Sequence, residues 1–175
     1  MKKTYEFKND KYNIIGYTIS NDEESKKYQT DIIFGTEDHK KWILNINGEE
    51  IAFYNTGNNI IDSDHVIILG DELNVVTDFD YFKINLETYK CLLHLELDNF
   101  NGVTCTLIKY RKGFLIHMDL SLIYIENDKV IWNYDSSDVL DKITILDNDI
   151  IEIKEFTTMN NIFIYHLNKD GHRIK

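Results

Sequence analysis

The sequence predicts a single all-β domain over residues 1–175, built from antiparallel hairpins, and three observations point to this fold class. Short apolar runs are separated by polar turns rich in Asn, Asp and Gly along most of the chain. Aromatic residues, which favour strands, make up 13% of the chain. No segment repeats its apolar residues at intervals of three and four over a helix length, so no helix is predicted.

The clearest hairpin lies between Leu120 and Tyr134. Its two apolar runs flank the segment Glu126–Lys129, in which Asn127 and Asp128 tolerate the left-handed backbone angles of a tight turn. Both faces of the two strands are largely apolar, so the hairpin is predicted to be buried on both sides.

The N-terminal half contains a second strong hairpin signal, Asn47-Gly48. The polar run Ser20–Lys27 is predicted to be an exposed loop, and Asn55–Asp64 resembles a linker without dividing the domain. The strands predicted here are Thr4–Phe7, Tyr12–Ile19, Asp31–Phe34, Trp42–Ile46, Ile51–Tyr54, His65–Leu69, Leu73–Thr77, Tyr81–Asn85 and Cys91–Leu97.

The rest of the chain continues the same pattern, and three segments of the sequence can be laid over one another. They start at His65, Val103 and Lys142, which are 38 and 39 residues apart. Residues Tyr28–Tyr54 form a degenerate fourth copy in which the last two strands are clearest. The strands predicted outside the Leu120–Tyr134 hairpin are Val103–Ile108, Phe114–His117, Ile143–Leu146, Ile150–Phe156 and Ile162–Leu167.

A period near forty residues with four short strands in each unit resembles the blade repeat of β-propellers. The resemblance covers about two thirds of the chain, without repeated Trp-Asp or Gly-His signatures. It implies a small ring of four-stranded sheets, in which the strand Thr4–Phe7 would pair into the last blade. A β-sandwich or a strongly bent antiparallel meander is the alternative that the same hairpins can build.

The chain is acidic, with 30 Asp and Glu against 19 Lys and Arg and a net charge of −11. This charge disfavours binding to nucleic acid or an anionic membrane, and it suits a basic protein partner or simple solubility. No apolar run has the length of a signal peptide or a membrane span, so a cytoplasmic protein is predicted. The abundance of Asn, Ile, Lys and Tyr is typical of an AT-rich bacterium.

Catalytic and metal-binding motifs are missing from the sequence. The pairs His94/Glu96 and His117/Asp119 each share a strand face, but a metal would need a third ligand from elsewhere. No nucleophile elbow and no phosphate-binding glycine loop occurs. Cys91 and His94 lie on opposite faces of a regular strand. We therefore expect no catalytic residues, no metal and no other cofactor.

The two cysteines, Cys91 and Cys105, lie in segments that alternate like strands. A secreted disulfide scaffold would normally contain more cysteines. Both are therefore predicted to be buried free thiols.

Aspartates recur close to the predicted strand ends. An acidic rim made by these loops would attract a basic protein surface. Turn formation is the simpler role for such residues, and calcium binding is a further alternative, although the twelve-residue calcium loop is not matched. The candidate partner-binding residues are Asp62, Asp64, Asp78, Asp80, Asp135, Asp138 and Asp141.

These features favour a non-enzymatic module that binds a basic protein, such as a bacterial immunity or antitoxin-like inhibitor of a basic toxin. Association would be steered by charge and completed by a few aromatic anchors. One alternative is a carbohydrate or small-ligand binder that uses aromatic side chains such as Trp42 and Trp132. Another is an enzyme whose site is assembled from loops of several repeats. The sequence predicts no oligomeric state.

Overall fold

The computed structural model describes residues 4–19, 30–35, 41–54, 61–97, 100, 102–157 and 161–174. Within these ranges the chain forms strands and a single 3₁₀ turn at Asp147–Asp149, with no α-helix, which confirms the all-β fold class. None of the described helical residues forms a segment long and apolar enough to cross a membrane. The predicted loop Ser20–Lys27 lies outside the described residues.

The chain divides into two compact units, Met1–Leu97 and Asp98–Lys175. The single domain expected over residues 1–175 stays a prediction, because two compact units can belong to one domain or to two. The first unit contains β1 (Thr4–Lys8), β2 (Asn13–Ile19), β3 (Ile33–Phe34), β4 (Lys41–Ile46), β5 (Glu49–Tyr54), β6 (Val66–Leu69), β7 (Glu72–Val76), β8 (Asp80–Asn85) and β9 (Lys90–Glu96). The second contains β10 (Thr104–Tyr110), β11 (Gly113–Met118), β12 (Ser121–Glu126), β13 (Lys129–Asp135), β14 (Val139–Ile145), β15 (Ile151–Phe156), β16 (Ile162–Leu167) and β17 (Arg173–Ile174).

Each of the three predicted repeats folds into one four-stranded antiparallel meander. The sheet orders are β6-β7-β8-β9, β10-β11-β12-β13 and β14-β15-β16-β17, so every strand pairs with its neighbour in sequence. This is the strand order of a propeller blade, and the four-strand repeat is confirmed. The choice between a ring and a sandwich stays a prediction.

The remaining sheet differs from the predicted fourth copy. Its order is β1-β2-β4-β5-β3, with β3 parallel to β5, so its first two strands come from the N-terminus. The expected pairing of Thr4–Phe7 with the last blade is wrong, because β1 pairs with β2. The reason is local: Asn9 Oδ1 accepts hydrogen bonds from the backbone N–H groups of Lys11 and Tyr12 at 2.9 and 2.8 Å. This turn joins β1 directly to β2 in an antiparallel hairpin.

The Leu120–Tyr134 hairpin forms with the expected turn, in which Asn127 and Asp128 have φ of 51° and 61°. Five of the six residues of β12 are buried, and this strand lies between two neighbours. The prediction of burial on both sides is wrong for β13, where Ile131 is 53% exposed. β13 is the outer strand of its sheet and has only one neighbour.

Each unit has its own core. In the first unit the two sheets share a cluster in which the Phe53 ring lies 5.2 Å from that of Phe34 and 5.7 Å from that of Phe82. In the second unit the two sheets share a cluster that includes Tyr124 and Ile153. Each core is therefore formed between two neighbouring sheets, so a single sheet does not bury its apolar face alone.

Candidate functional site

The predicted carboxylates of the turn before β6 differ in role. Asp62 Oδ1 lies 2.7 Å from His65 Nδ1 and accepts the backbone N–H of Asp64 at 2.9 Å. Asp62 therefore uses Oδ1 to stabilise the turn and to orient the His65 ring. Asp64 is exposed and accepts a hydrogen bond from Ser63 Oγ at 3.3 Å. Asp64 is therefore the more accessible carboxylate of this turn.

The two carboxylates between β7 and β8 are withdrawn from solvent. Asp78 is 8% exposed and Asp80 is 5% exposed. Asp80 Oδ1 lies 2.6 Å from His94 Nε2. This burial leaves little of either carboxylate to contact a partner.

The three predicted carboxylates of the second unit lie in and beside the connection from β13 to β14: Asp135 ends β13, Asp138 lies in the connection and Asp141 lies on β14. Asp135 is exposed and accepts a hydrogen bond from Asn133 Nδ2 at 3.1 Å. Asp138 is half-buried, and Asp141 pairs with Lys154 Nζ at 2.7 Å. Glu155 on β15 adds a carboxylate to this region, since it bonds to the hydroxyl of Ser136 in the same connection. The sequence missed Glu155 because only strand pairing brings it there.

Asp80 and His94 form a carboxylate–imidazole pair in the first unit. The His94 side chain is 40% exposed, and its ring stacks on Phe82 with centroids 4.6 Å apart. The carboxylate orients the imidazole, as in many metal or proton-transfer sites. Nevertheless, the described residues contain no cluster of three or more His, Cys, Asp or Glu that could hold a metal ion.

Cys91 departs from both predictions made for it. A bulge places Cys91 opposite Ile84 and His94 opposite Phe82, so Cys91 and His94 share a face of the sheet. Cys91 is an exposed free thiol, because β9 is the outer strand of its sheet; its predicted burial is wrong. Desolvation raises the pKa of the Cys91 thiol, which disfavours a reactive thiolate. The side chain of Cys105 lies outside the described residues.

His117 is a structural residue rather than an accessible one. It is 5% exposed, and its Nε2 donates a hydrogen bond to the backbone oxygen of Leu140 at 2.9 Å. Burial lowers its pKa, although this hydrogen bond and the carboxylates of Asp119 and Asp141 oppose that effect. Asp119 itself accepts the backbone N–H of Val103 at 2.8 Å.

The depressed pKa of His117 predicts a pH-dependent stability. As the pH falls below the ordinary histidine pKa of 6.5, the unfolded chain takes up the proton first, so the free energy of unfolding falls. One such proton contributes a slope of at most about 1.4 kcal/mol per pH unit. Urea unfolding between pH 5 and 7 should show a weaker pH dependence for His117→Gln than for wild type and the exposed control His172→Gln. An unchanged dependence in His117→Gln would contradict this assignment.

Neither tryptophan offers an open stacking surface. Trp42 is 0% exposed and meets the His65 ring edge-on at 5.0 Å. Trp132 is half-buried, donates its Nε1–H to Lys169 O at 3.0 Å and packs against Gly171. Two shallow concavities of the described residues hold about 220 and 270 Å³, which is less than typical ligand pockets. The carbohydrate alternative gains no support from these features.

No protein-family model and no curated protein matches the chain. Among solved structures, it is similar to the crystal structure of BBS1N in complex with ARL6DN, soaked with mercury, with a TM-score of 0.48 and 9% sequence identity. The match covers 98% of this chain and 52% of that chain, so this chain spans about half of its length.

Proposed function

We propose that the chain is a non-enzymatic module that binds a basic protein through exposed carboxylates near its strand ends. The observation that carries this proposal is the excess of 30 acidic over 19 basic side chains, combined with accessible carboxylates in the connections before β6 and before β14. Several cations are already paired with carboxylates. Lys11 pairs with Asp71 and Glu87, and Lys154 pairs with Asp141. The remaining field is negative and attracts a cationic surface.

In each unit, one connection supplies the carboxylates that a partner would meet. In the first unit this carboxylate is Asp64, whose backbone N–H donates a hydrogen bond to Asp62 Oδ1. In the second unit these are Asp135 and Asp138. Charge-steered encounter would set the association rate, and desolvated contacts formed afterwards would set the dissociation rate.

In its more specific form, the proposal is a bacterial, cytoplasmic immunity or antitoxin-like protein that covers the nucleic-acid-binding surface of a basic toxin. An acidic surface competes directly with the phosphates that such a toxin binds. The sequence offers no catalytic motif, and the described residues bring no metal-ligand cluster together, which supports inhibition by binding rather than by chemistry.

The test is affinity capture from a lysate of the encoding organism with three baits of full-length chain. One is wild type and one carries Asp64→Asn, Asp135→Asn and Asp138→Asn. The matched control carries three neutralised carboxylates at exposed positions elsewhere, namely Asp10→Asn, Asp31→Asn and Asp147→Asn, so both variants have the same net charge.

Wild type and control should retain a basic protein, identified by mass spectrometry, and the Asp64/Asp135/Asp138 variant should lose roughly tenfold or more of it. Equal retention by both variants would show that net charge rather than these three carboxylates is responsible. Retention of no basic protein by wild type would overturn the proposal.

A further inference from the structure

Glu155 is a charged residue on the core-facing side of β15. Successive side chains of a strand alternate between its faces, so Glu155 shares a face with Ile151 and Ile153. Those two isoleucines are fully buried in the core of the second unit, and Glu155 is half-buried. A carboxylate in such a place is costly to desolvate unless hydrogen-bond donors reach it. The donors of Glu155 therefore show what this residue holds in place.

Two hydroxyl groups donate to Glu155 from different sides. The hydroxyl of Ser136, in the connection between β13 and β14, donates to Oε1. The hydroxyl of Tyr165, on β16, donates to the same oxygen at 3.3 Å. Tyr165 is only 4% exposed and accepts a hydrogen bond from the Tyr134 hydroxyl at 2.9 Å. Glu155 is thus held by a buried tyrosine, so it is a fixed acceptor for Ser136.

Ser136 extends this constraint to the backbone of Asp138. A hydroxyl group has one proton to donate and two lone pairs that accept. The Ser136 hydroxyl donates its proton to Glu155 and accepts the backbone N–H of Asp138 at 3.0 Å. The backbone N–H of Ser136 donates to Leu120 O at 2.9 Å. Ser136 is therefore fixed through its main chain and its side chain, and Asp138 is fixed through Ser136.

The first unit holds its own accessible aspartate in a similar way. Asp62 Oδ1 accepts the backbone N–H of Asp64 at 2.9 Å, two residues further on, as Ser136 Oγ does for Asp138. Asp62 Oδ1 also lies 2.7 Å from Nδ1 of the buried His65. In each unit, a side chain fixed from the strands thus bonds to the backbone of a carboxylate residue that the proposed function assigns to the partner.

We propose that Glu155 is a positioning residue, which holds the backbone from Asp135 to Asp138 through Ser136 in the conformation that a basic partner contacts. This inference rests on the proposed function, in which Asp135 and Asp138 meet that partner. Glu155 acts through Ser136 and not by touching the partner. A connection that is ordered before the encounter does not have to be ordered on binding, which strengthens the complex.

The variant Ser136→Ala separates this role from that of charge, because it leaves the net charge unchanged. Its association rate constant and the salt dependence of that constant should equal those of wild type. Its complex should dissociate roughly three- to tenfold faster, because the connection is no longer held. The matched control is Ser137→Ala. Ser137 is the exposed neighbour, and its hydroxyl donates within the connection, to Asp138 Oδ2 at 3.4 Å.

Amide hydrogen exchange, resolved by NMR on the full chain alone, tests the positioning without any partner. The Asp138 amide should exchange roughly tenfold or more faster in Ser136→Ala than in wild type. Ser136→Thr keeps the hydroxyl and should restore the wild-type rate. The Leu140 amide, which donates to Asp119 O at 2.7 Å, should be unchanged in both variants and serves as the internal control.

A pair of charge-matched variants tests Glu155 itself. Glu155→Ala should accelerate exchange at Asp138 as Ser136→Ala does, since the Ser136 hydroxyl loses its acceptor. Glu152→Ala removes the same charge from the opposite face of β15 and should exchange like wild type at Asp138. Circular dichroism melting curves check that all variants are folded. Unchanged exchange at Asp138 in both Ser136→Ala and Glu155→Ala would overturn the positioning role and leave the proposed function standing.

The binding arm uses the basic protein that wild type retains from the lysate. Immobilised wild type, Ser136→Ala, Ser136→Thr and Ser137→Ala are each loaded with this protein, and its dissociation is followed after dilution. Faster dissociation from Ser136→Ala alone, with faster exchange at Asp138, is the expected result. Equal dissociation from all four would overturn a role of this positioning in binding. If wild type retains no basic protein, the proposed function fails and this inference fails with it, whatever the exchange rates show.

Discussion

The Gly113→Ala variant is expected to lose about 3 kcal/mol or more of the stability of the second unit. A Cβ at Gly113 would lie 1.8 Å from the backbone oxygen of Ile125 and 2.9 Å from its carbonyl carbon. Both atoms belong to β12, whose pairing with β11 places Phe114 opposite Ile125. A backbone atom in the middle of a sheet cannot move aside as a flexible side chain can, so the two strands must separate or shift register.

Urea unfolding followed by circular dichroism measures this loss. The control is Gly70→Ala, at a φ of 59° with no heavy atom within 4 Å of the added Cβ, and it should cost only about 1 kcal/mol. A Gly113→Ala protein as stable as the Gly70→Ala control would show that β11 and β12 do not pack as closely as the structure indicates.

The Trp42→Ala variant is expected to lose about 3–5 kcal/mol of the stability of the first unit. Trp42 is fully buried in the core between the two sheets, and its ring contacts that of buried His65. Removing the Trp42 side chain leaves a large cavity, and the surrounding strands are too rigid to collapse into that cavity. It also unpacks an imidazole whose Nε2 is buried without a hydrogen-bond partner among the described residues.

Chemical unfolding followed by circular dichroism measures this effect without depending on tryptophan fluorescence. Trp132→Ala is the matched control, because Trp132 is half-buried and loses one hydrogen bond, to Lys169. Its expected loss is smaller than that of Trp42→Ala. Equal losses in the two variants would contradict the placement of Trp42 at the centre of its core.

Local turn chemistry explains why so much of the fold could be predicted. Asn47-Gly48 adopts φ of 51° and 103°, as its residue types require, and the strands on both sides follow from it. Which strand becomes an outer strand depends on neighbours distant in sequence. The predicted burial of the Leu120–Tyr134 hairpin was therefore wrong for β13. The predicted pairing of β1 with the last blade was wrong for the same reason.

For the predicted carboxylates too, the sequence indicated positions along the chain but not burial by distant residues. Turn composition placed Asp64 and Asp135 near strand ends, and in the structure Asp64 precedes β6 and Asp135 is the last residue of β13. It gave no indication that Asp80 is buried against His94, because this contact crosses from β8 to β9. The bulge that brings Cys91 to the face of His94 left no signal in the sequence either.

The dependence of the association rate on ionic strength tests the proposed charge-steered binding most directly. Stopped-flow mixing of the chain with its captured partner, between about 0.02 and 0.5 M salt, should show the association rate constant falling by roughly 10- to 100-fold. The Asp64/Asp135/Asp138 variant should show a shallower dependence than its equal-charge control. An association rate constant that does not change with ionic strength would contradict binding steered by these carboxylates.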